Sequence, residues 1–326
     1  MVINRLTVVY SLFEICALFA GVLGGVTGMR ASLRWGTASG PESRRNLENM
    51  FYLAASAVSI GILLQLVMLP LWFYMLHQLI SVIPGAMCLG GVHHAVPLYS
   101  WAASGLKLIL PLLYISWLVM TRVDSGTIER PYLRFRYMFL GIMSLFLLVE
   151  SFYDIAYLLK LKPIPVSCCT ALFDFSPAPV VRALSSGSIW YVVLAAVLLL
   201  LVSAGCFTPA TRTLGITGSI LTAGALIAVL CALHSSLSPL ILDAPFHHCI
   251  FCLLQNSRIV LGGFALLLTG LYSAESVYLL EAVAPAAVSK GGAGYKVWKR
   301  LRICGITCLV CGSGMIGILA AIHLIK

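Results

Sequence analysis

Eight apolar runs, each long enough to cross a bilayer, divide this chain and leave only short connections between them. They lie near residues 7–29, 51–77, 97–120, 137–160, 188–206, 214–234, 256–278 and 303–324. About 20 apolar residues in helical form span the hydrocarbon core. The runs are continuous and do not alternate, which excludes the strands of an outer-membrane barrel. Inside lipid, a helix satisfies its own main-chain amides. The expected fold is therefore all-α. It is a polytopic integral membrane helical bundle of about eight transmembrane helices, with one transmembrane domain over 1–326 and no soluble domain. The composition leaves little alternative, because only 10% of residues are charged, against roughly a quarter in a soluble domain.

The net charge of +10 could point to nucleic acid, but its placement points to the lipid bilayer. Arginines and lysines collect in alternate short loops: Arg30, Arg34, Arg44 and Arg45; Arg122, Arg130, Arg134 and Arg136; Arg212; Lys290, Lys296, Lys299, Arg300 and Arg302. Such a bias marks cytoplasmic loops. No basic patch interleaved with aromatics, as nucleic-acid binders use, is present. The loops 78–96 and 235–255 hold no Lys or Arg at all. The expected location is a prokaryotic cytoplasmic membrane, with these loops and both termini extracytoplasmic.

That topology sorts the reactive residue types onto one face. All seven histidines, His77, His93, His94, His234, His247, His248 and His323, fall in outer loops or at outer helix ends. Cys88, Cys168, Cys169, Cys249 and Cys252 do the same. The segment Pro84–His94 holds Met87, Cys88, His93 and His94 among Gly85, Gly90 and Gly91, which favour a tight loop over a regular helix. The segment 165–174 holds the adjacent pair Cys168 and Cys169, with Asp174 nearby. Adjacent cysteines can form a strained, labile disulfide or supply thiolates. The segment 245–255 holds His247, His248 and a Cys249-x-x-Cys252 dithiol at a helix start, a setting that lowers a thiol pKa. Cys, His and Met together suit copper or zinc. The metal-ligand candidates are therefore Cys88, His93, His94, Cys168, Cys169, His247, His248, Cys249 and Cys252.

Charges inside spans are expensive and usually functional. Glu14, Lys107, Glu150 and Asp154 lie within the apolar runs. Lys107 and Glu150 fall at similar depth, and Glu150 and Asp154 share a helix face. They form either a static ion pair or a path for protons or cations. Gly21-x-x-x-Gly25 and Gly24-x-x-x-Gly28 mark close helix packing, and Gly312, Gly314 and Gly317 read alike. Cys304, Cys308 and Cys311 form a stripe that packing also explains. The second and third runs and the sixth and seventh each flank an outer loop with a Cys and a His–His pair. This pattern fits a four-plus-four duplication.

The dithiol Cys249-Ile-Phe-Cys252 resembles the active-site pair of the vitamin K epoxide reductase and DsbB-like membrane oxidoreductases. The resemblance implies electron transfer from a substrate thiol to a quinone, with Cys249 and Cys252 catalytic and Cys168 and Cys169 as a shuttle pair. Those families have a four-helix core. No Walker loop, Cys-x-x-Cys-His, Gly-x-Ser-x-Gly or His-Glu-x-x-His motif occurs. Three functions remain open. The first is binding, delivery or transport of a transition metal. The second is quinone-linked thiol–disulfide exchange. The third is a non-catalytic subunit that docks an extracytoplasmic redox or metalloprotein partner.

Overall fold

The structure is a computed structural model that describes residues 5–37, 39–124, 132–166, 189–244, 247–288 and 294–325. Those residues are almost entirely helical, with no strand among them. In chain order the helices are α1 (Arg5–Trp35), α2 (Pro41–Leu79), α3 (Leu89–His94), α4 (Pro97–Asp124), α5 (Leu133–Lys160), α6 (Trp190–Gly205) and α7 (Arg212–Ala232). Then follow α8 (Ser238–Ile241), α9 (Ile250–Asn256), α10 (Arg258–Val283), α11 (Pro285–Val288) and α12 (Tyr295–Ile325). Seven elements are long and apolar enough to cross a membrane: α1, α2, α4, α5, Arg212–Ile241, α10 and α12. The chain is an integral membrane protein of the all-α class. The apolar helix α6 has 16 residues, about 24 Å of rise, and is shorter than the other spans.

The fold divides into two compact units, Met1–Pro84 with Val92–Val166, and Gly85–Gly91 with Ser167–Lys326. In the first unit α1 is the central post, packed on α2 and on α5, while α4 packs on α5. The glycine spacing in α1 explains this. A Cβ on Gly24 would stand 2.9 Å from the Ala54 carbonyl oxygen of α2, and one on Gly25 would stand 3.3 Å from the Leu140 carbonyl oxygen of α5. Gly24 thus admits α2 and Gly25 admits α5, while Gly28 lies against both. Phe51 and Tyr137 stack at 4.3 Å, and the Tyr137 hydroxyl donates to the Phe51 carbonyl at 2.9 Å. Arg136, counted above among the loop cations, lies inside α5. It pairs with buried Asp124 at 3.2 Å, and Asp124 also accepts the Tyr132 amide at 3.1 Å.

In the second unit α10 is central, packed on α12 and α7, while α6 packs on α7. A Cβ on Gly312 would meet the Gly263 carbonyl oxygen at 2.7 Å, whereas Gly314 and Gly317 meet nothing within 4 Å. Of Gly312, Gly314 and Gly317, only Gly312 is therefore a packing glycine. Gly312→Ala is expected to destabilise the unit by about 1–3 kcal/mol. Gly314→Ala should be neutral or slightly stabilising through helix propensity. Thermal unfolding of the two variants in detergent checks the contrast. The span that begins with α7 ends in a π-helical turn, Leu233–Leu237, before Pro239. Proline lacks the amide that would continue the ladder and crowds the carbonyl four residues back. The Ser235 and Ser238 hydroxyls donate to the Cys231 and Leu233 carbonyls, each at 2.6 Å.

Candidate thiol site and intramembrane charge cluster

The cysteines that converge belong to the second unit. Gly85 adopts φ 81°, a left-handed conformation that suits glycine, and it turns the chain into the segment that carries Cys88. Cys249 immediately precedes α9, and Cys252 lies within it. The sulfurs of Cys88, Cys249 and Cys252 all lie within 4.8 Å of one another, with Cys88 and Cys249 3.7 Å apart. Cys88 and Cys252 are buried, while Cys249 is half-buried. Gly90 makes the approach feasible. A Cβ there would stand 3.3 Å from the Cys88 sulfur and 3.4 Å from that of Cys249.

Hydrogen bonds from Cys252 first, and from Cys88 second, pull the Cys249 thiol far below the ordinary thiol range. The Cys252 thiol moves the opposite way, held protonated chiefly by its bond to Cys249. No disulfide joins the described cysteines. A metal ion bonded to cysteine lies about 2.3 Å from sulfur, so two sulfurs that share one ion stand roughly 3.8–4 Å apart. The Cys88–Cys249 spacing fits that edge.

The histidines go elsewhere. Burial lowers the pKa of His248, whose Nδ1 is buried without a hydrogen-bond partner among the described residues. Its ring centroid is 6.0 Å from that of His234. Half-buried His247 donates its amide to the Ala244 carbonyl at 2.9 Å. Among the described residues of this unit no histidine nitrogen joins the three sulfurs. Met87 is 71% exposed. Cys168 and Cys169 lie outside the described residues.

His93 and His94 belong to the first unit. His94 is exposed. His93 is buried and stacks on Trp101 at 4.8 Å. Burial, and secondarily His94, lowers its pKa to about 4. The unfolded chain therefore binds a proton near the ordinary histidine value of about 6.5, before the folded chain does. Stability from this residue is complete above that value and is lost as pH falls from it toward 4. His93→Phe keeps the stacking and removes the proton. It should abolish a loss on the order of 2 kcal/mol in a melting-temperature series across that range.

The four charged residues within the spans do come together, in the first unit. Lys107 forms an ion pair with Glu150, another with Asp154 at 2.7 Å, and lies 3.9 Å from Glu14. Lys107 is 2% exposed and the three carboxylates are fully buried. The ammonium also lies 5.4 Å from the Tyr10 ring centre and 5.3 Å from that of Trp72, within cation–π range. Gln65 donates to Glu14 at 3.2 Å and to Glu150 at 3.4 Å. Ser151 donates to Glu14 at 2.5 Å, and Tyr10 donates to Asp154. Sequence reasoning passed over Tyr10, Gln65 and Ser151. Gln65 carried a readable signal, as an amide in the middle of an otherwise apolar run. No family model, curated protein or solved structure matches this chain.

Proposed function

We propose that the second unit binds a soft transition-metal ion at the extracytoplasmic face of a prokaryotic cytoplasmic membrane, for delivery or transport. Copper(I) is the first choice and zinc the second, with Cys88, Cys249 and Cys252 as ligands. The supporting observation is the convergence of three cysteine sulfurs within 4.8 Å. Thiolates select soft and borderline ions. A set of sulfurs without a histidine favours copper(I) over the mixed Cys/His set expected from the sequence. The exclusion of Lys and Arg from the loops around these residues supports their extracytoplasmic placement.

The test is elemental analysis of reduced, detergent-purified protein after exposure to copper(I) and removal of the excess. One copper per chain is expected. It should be absent when all three cysteines are replaced by serine. If wild type and the triple variant hold the same copper, the reading fails.

A second reading is thiol–disulfide exchange linked to a quinone. It draws on the dithiol's place in a unit whose apolar helices are α6, α7, α10 and α12, and on the third sulfur 3.7 Å from Cys249. A thiol count that falls by two on oxidation, in protein that takes up no metal, would favour it. Neither metal uptake nor reversible oxidation would favour a docking subunit.

A further inference from the structure

The charge count at the centre of the first unit does not balance. Three carboxyls, Glu14, Glu150 and Asp154, surround one ammonium, and all four groups are removed from solvent. Fully ionised, the cluster would carry two uncompensated negative charges, and an unpaired buried charge is too costly to persist. The groups that face it come from all four helices of the unit: Tyr10 and Glu14 from α1, Gln65 and Trp72 from α2, Lys107 and Tyr114 from α4, and Glu150, Ser151 and Asp154 from α5. Lys107 is the only cation among them.

The hydrogen bonds show where the deficit lies. Glu14 Oε1 accepts from Gln65 and Ser151, while Glu14 Oε2 has no hydrogen-bond partner among the described residues. Asp154 Oδ2 is engaged by Tyr10 and Lys107, while Oδ1 has no hydrogen-bond partner. Neither carboxyl has both oxygens hydrogen-bonded: among the described residues Asp154 Oδ1 is bare, and Glu14 Oε2 has only the Lys107 ammonium at 3.9 Å. A separate observation points the same way. The hydroxyl of Tyr114 is buried without a hydrogen-bond partner and interacts electrostatically with Glu150 and Glu14.

We propose that this cluster is a proton-binding site. It holds at least one proton at neutral pH, shared among Glu14, Asp154 and Glu150, with Lys107 as its fixed cation. The proton comes from the aqueous phase and forms an O–H bond on a bare carboxyl oxygen. A proton is favoured over a metal cation because the Lys107 ammonium already occupies the position between the carboxylates that a bound ion would take. The proposal is independent of the thiol site.

The test is infrared spectroscopy of the full-length protein in detergent, in water and in deuterium oxide. At neutral pH the wild type should show a protonated-carboxyl carbonyl band that shifts in deuterium oxide and is indifferent to added sodium, potassium or calcium. Glu14→Gln with Asp154→Asn leaves the neutral Lys107–Glu150 pair and should remove a part of that band equal to at least one carboxyl. If the double variant fails to fold, Glu14→Gln alone is expected to diminish the band. Three results would each overturn the proposal: a band unchanged in both variants, a band that is absent from the wild type at neutral pH, or a band abolished by added cation.

Discussion

Lys107→Met is expected to destabilise the protein by about 3–5 kcal/mol, the largest effect of any single change in the first unit. The methionine fills similar space, so lost packing contributes little. What is lost is the only cation that the described residues place among three buried carboxyls. Breaking a buried pair leaves its partners uncompensated, and that penalty exceeds the worth of the pair itself. The bonds of Lys107 with Glu150 and Asp154 would be replaced by repulsion among carboxylates. Size-exclusion chromatography and thermal unfolding in detergent should show a large fall in folded material at neutral pH. The deficit should shrink toward acid pH, as protons replace the ammonium. Adding Glu150→Gln to Lys107→Met should recover part of the loss. A Lys107→Met variant within about 0.5 kcal/mol of wild type would mean that the carboxyls are already neutral without the lysine.

The second large effect concerns metal affinity. Cys88→Ser, Cys249→Ser and Cys252→Ser should each weaken copper(I) binding by roughly 3 kcal/mol, the per-ligand share of a four-ligand structural metal site, which is about two orders of magnitude. His247→Ala and His248→Ala should each change it by less than about tenfold, the lower end of effects at groups beyond the ligands. Competition against a copper(I) chelator reads both. The contrast follows from geometry, because the three sulfurs share one space that neither His247 nor His248 joins among the described residues. Gly90→Val adds a test that removes no ligand. Its side chain would press between the Cys88 and Cys249 sulfurs, so affinity should fall although every cysteine remains. Equal losses in the cysteine and histidine variants would restore the mixed ligand set.

The spans were legible because lipid imposes one strong rule on the main chain and on composition. Each apolar run corresponds to a helix. The ends were less legible, since a helix continues where its apolar face stops. In α2 the polar stretch from Pro41 to Met50 remains helical, with Pro41 in the first turn, where its missing amide costs nothing. The charge cluster was half legible. Depth along the spans brings Lys107 level with Glu150, but the uncharged partners Tyr10 and Ser151 carry no electrostatic signature in a sequence. The thiol site was legible as residue types and not as a set. Within the second unit, His247 and His248 directly precede Cys249 in the chain, yet neither joins the three sulfurs among the described residues. Cys88 meets Cys249 across 161 positions, a pairing that no local pattern encodes.

The position of α1 between α2 and α5 bears on how this protein is made. α1 is synthesised before α2, α4 and α5, and both of its glycine-lined faces need neighbours. α2 follows after a short loop and can dock at once, but α5 begins only at Leu133. Until then the face with Gly21 and Gly25 must be covered by lipid or by the insertion machinery. Glu14 likewise waits for Lys107 on α4. The nascent first unit therefore passes through a stage in which an acidic helix has entered the membrane ahead of its counter-charge. A mutation that slows the arrival of α4 or α5 would act on biogenesis before it acts on the finished protein.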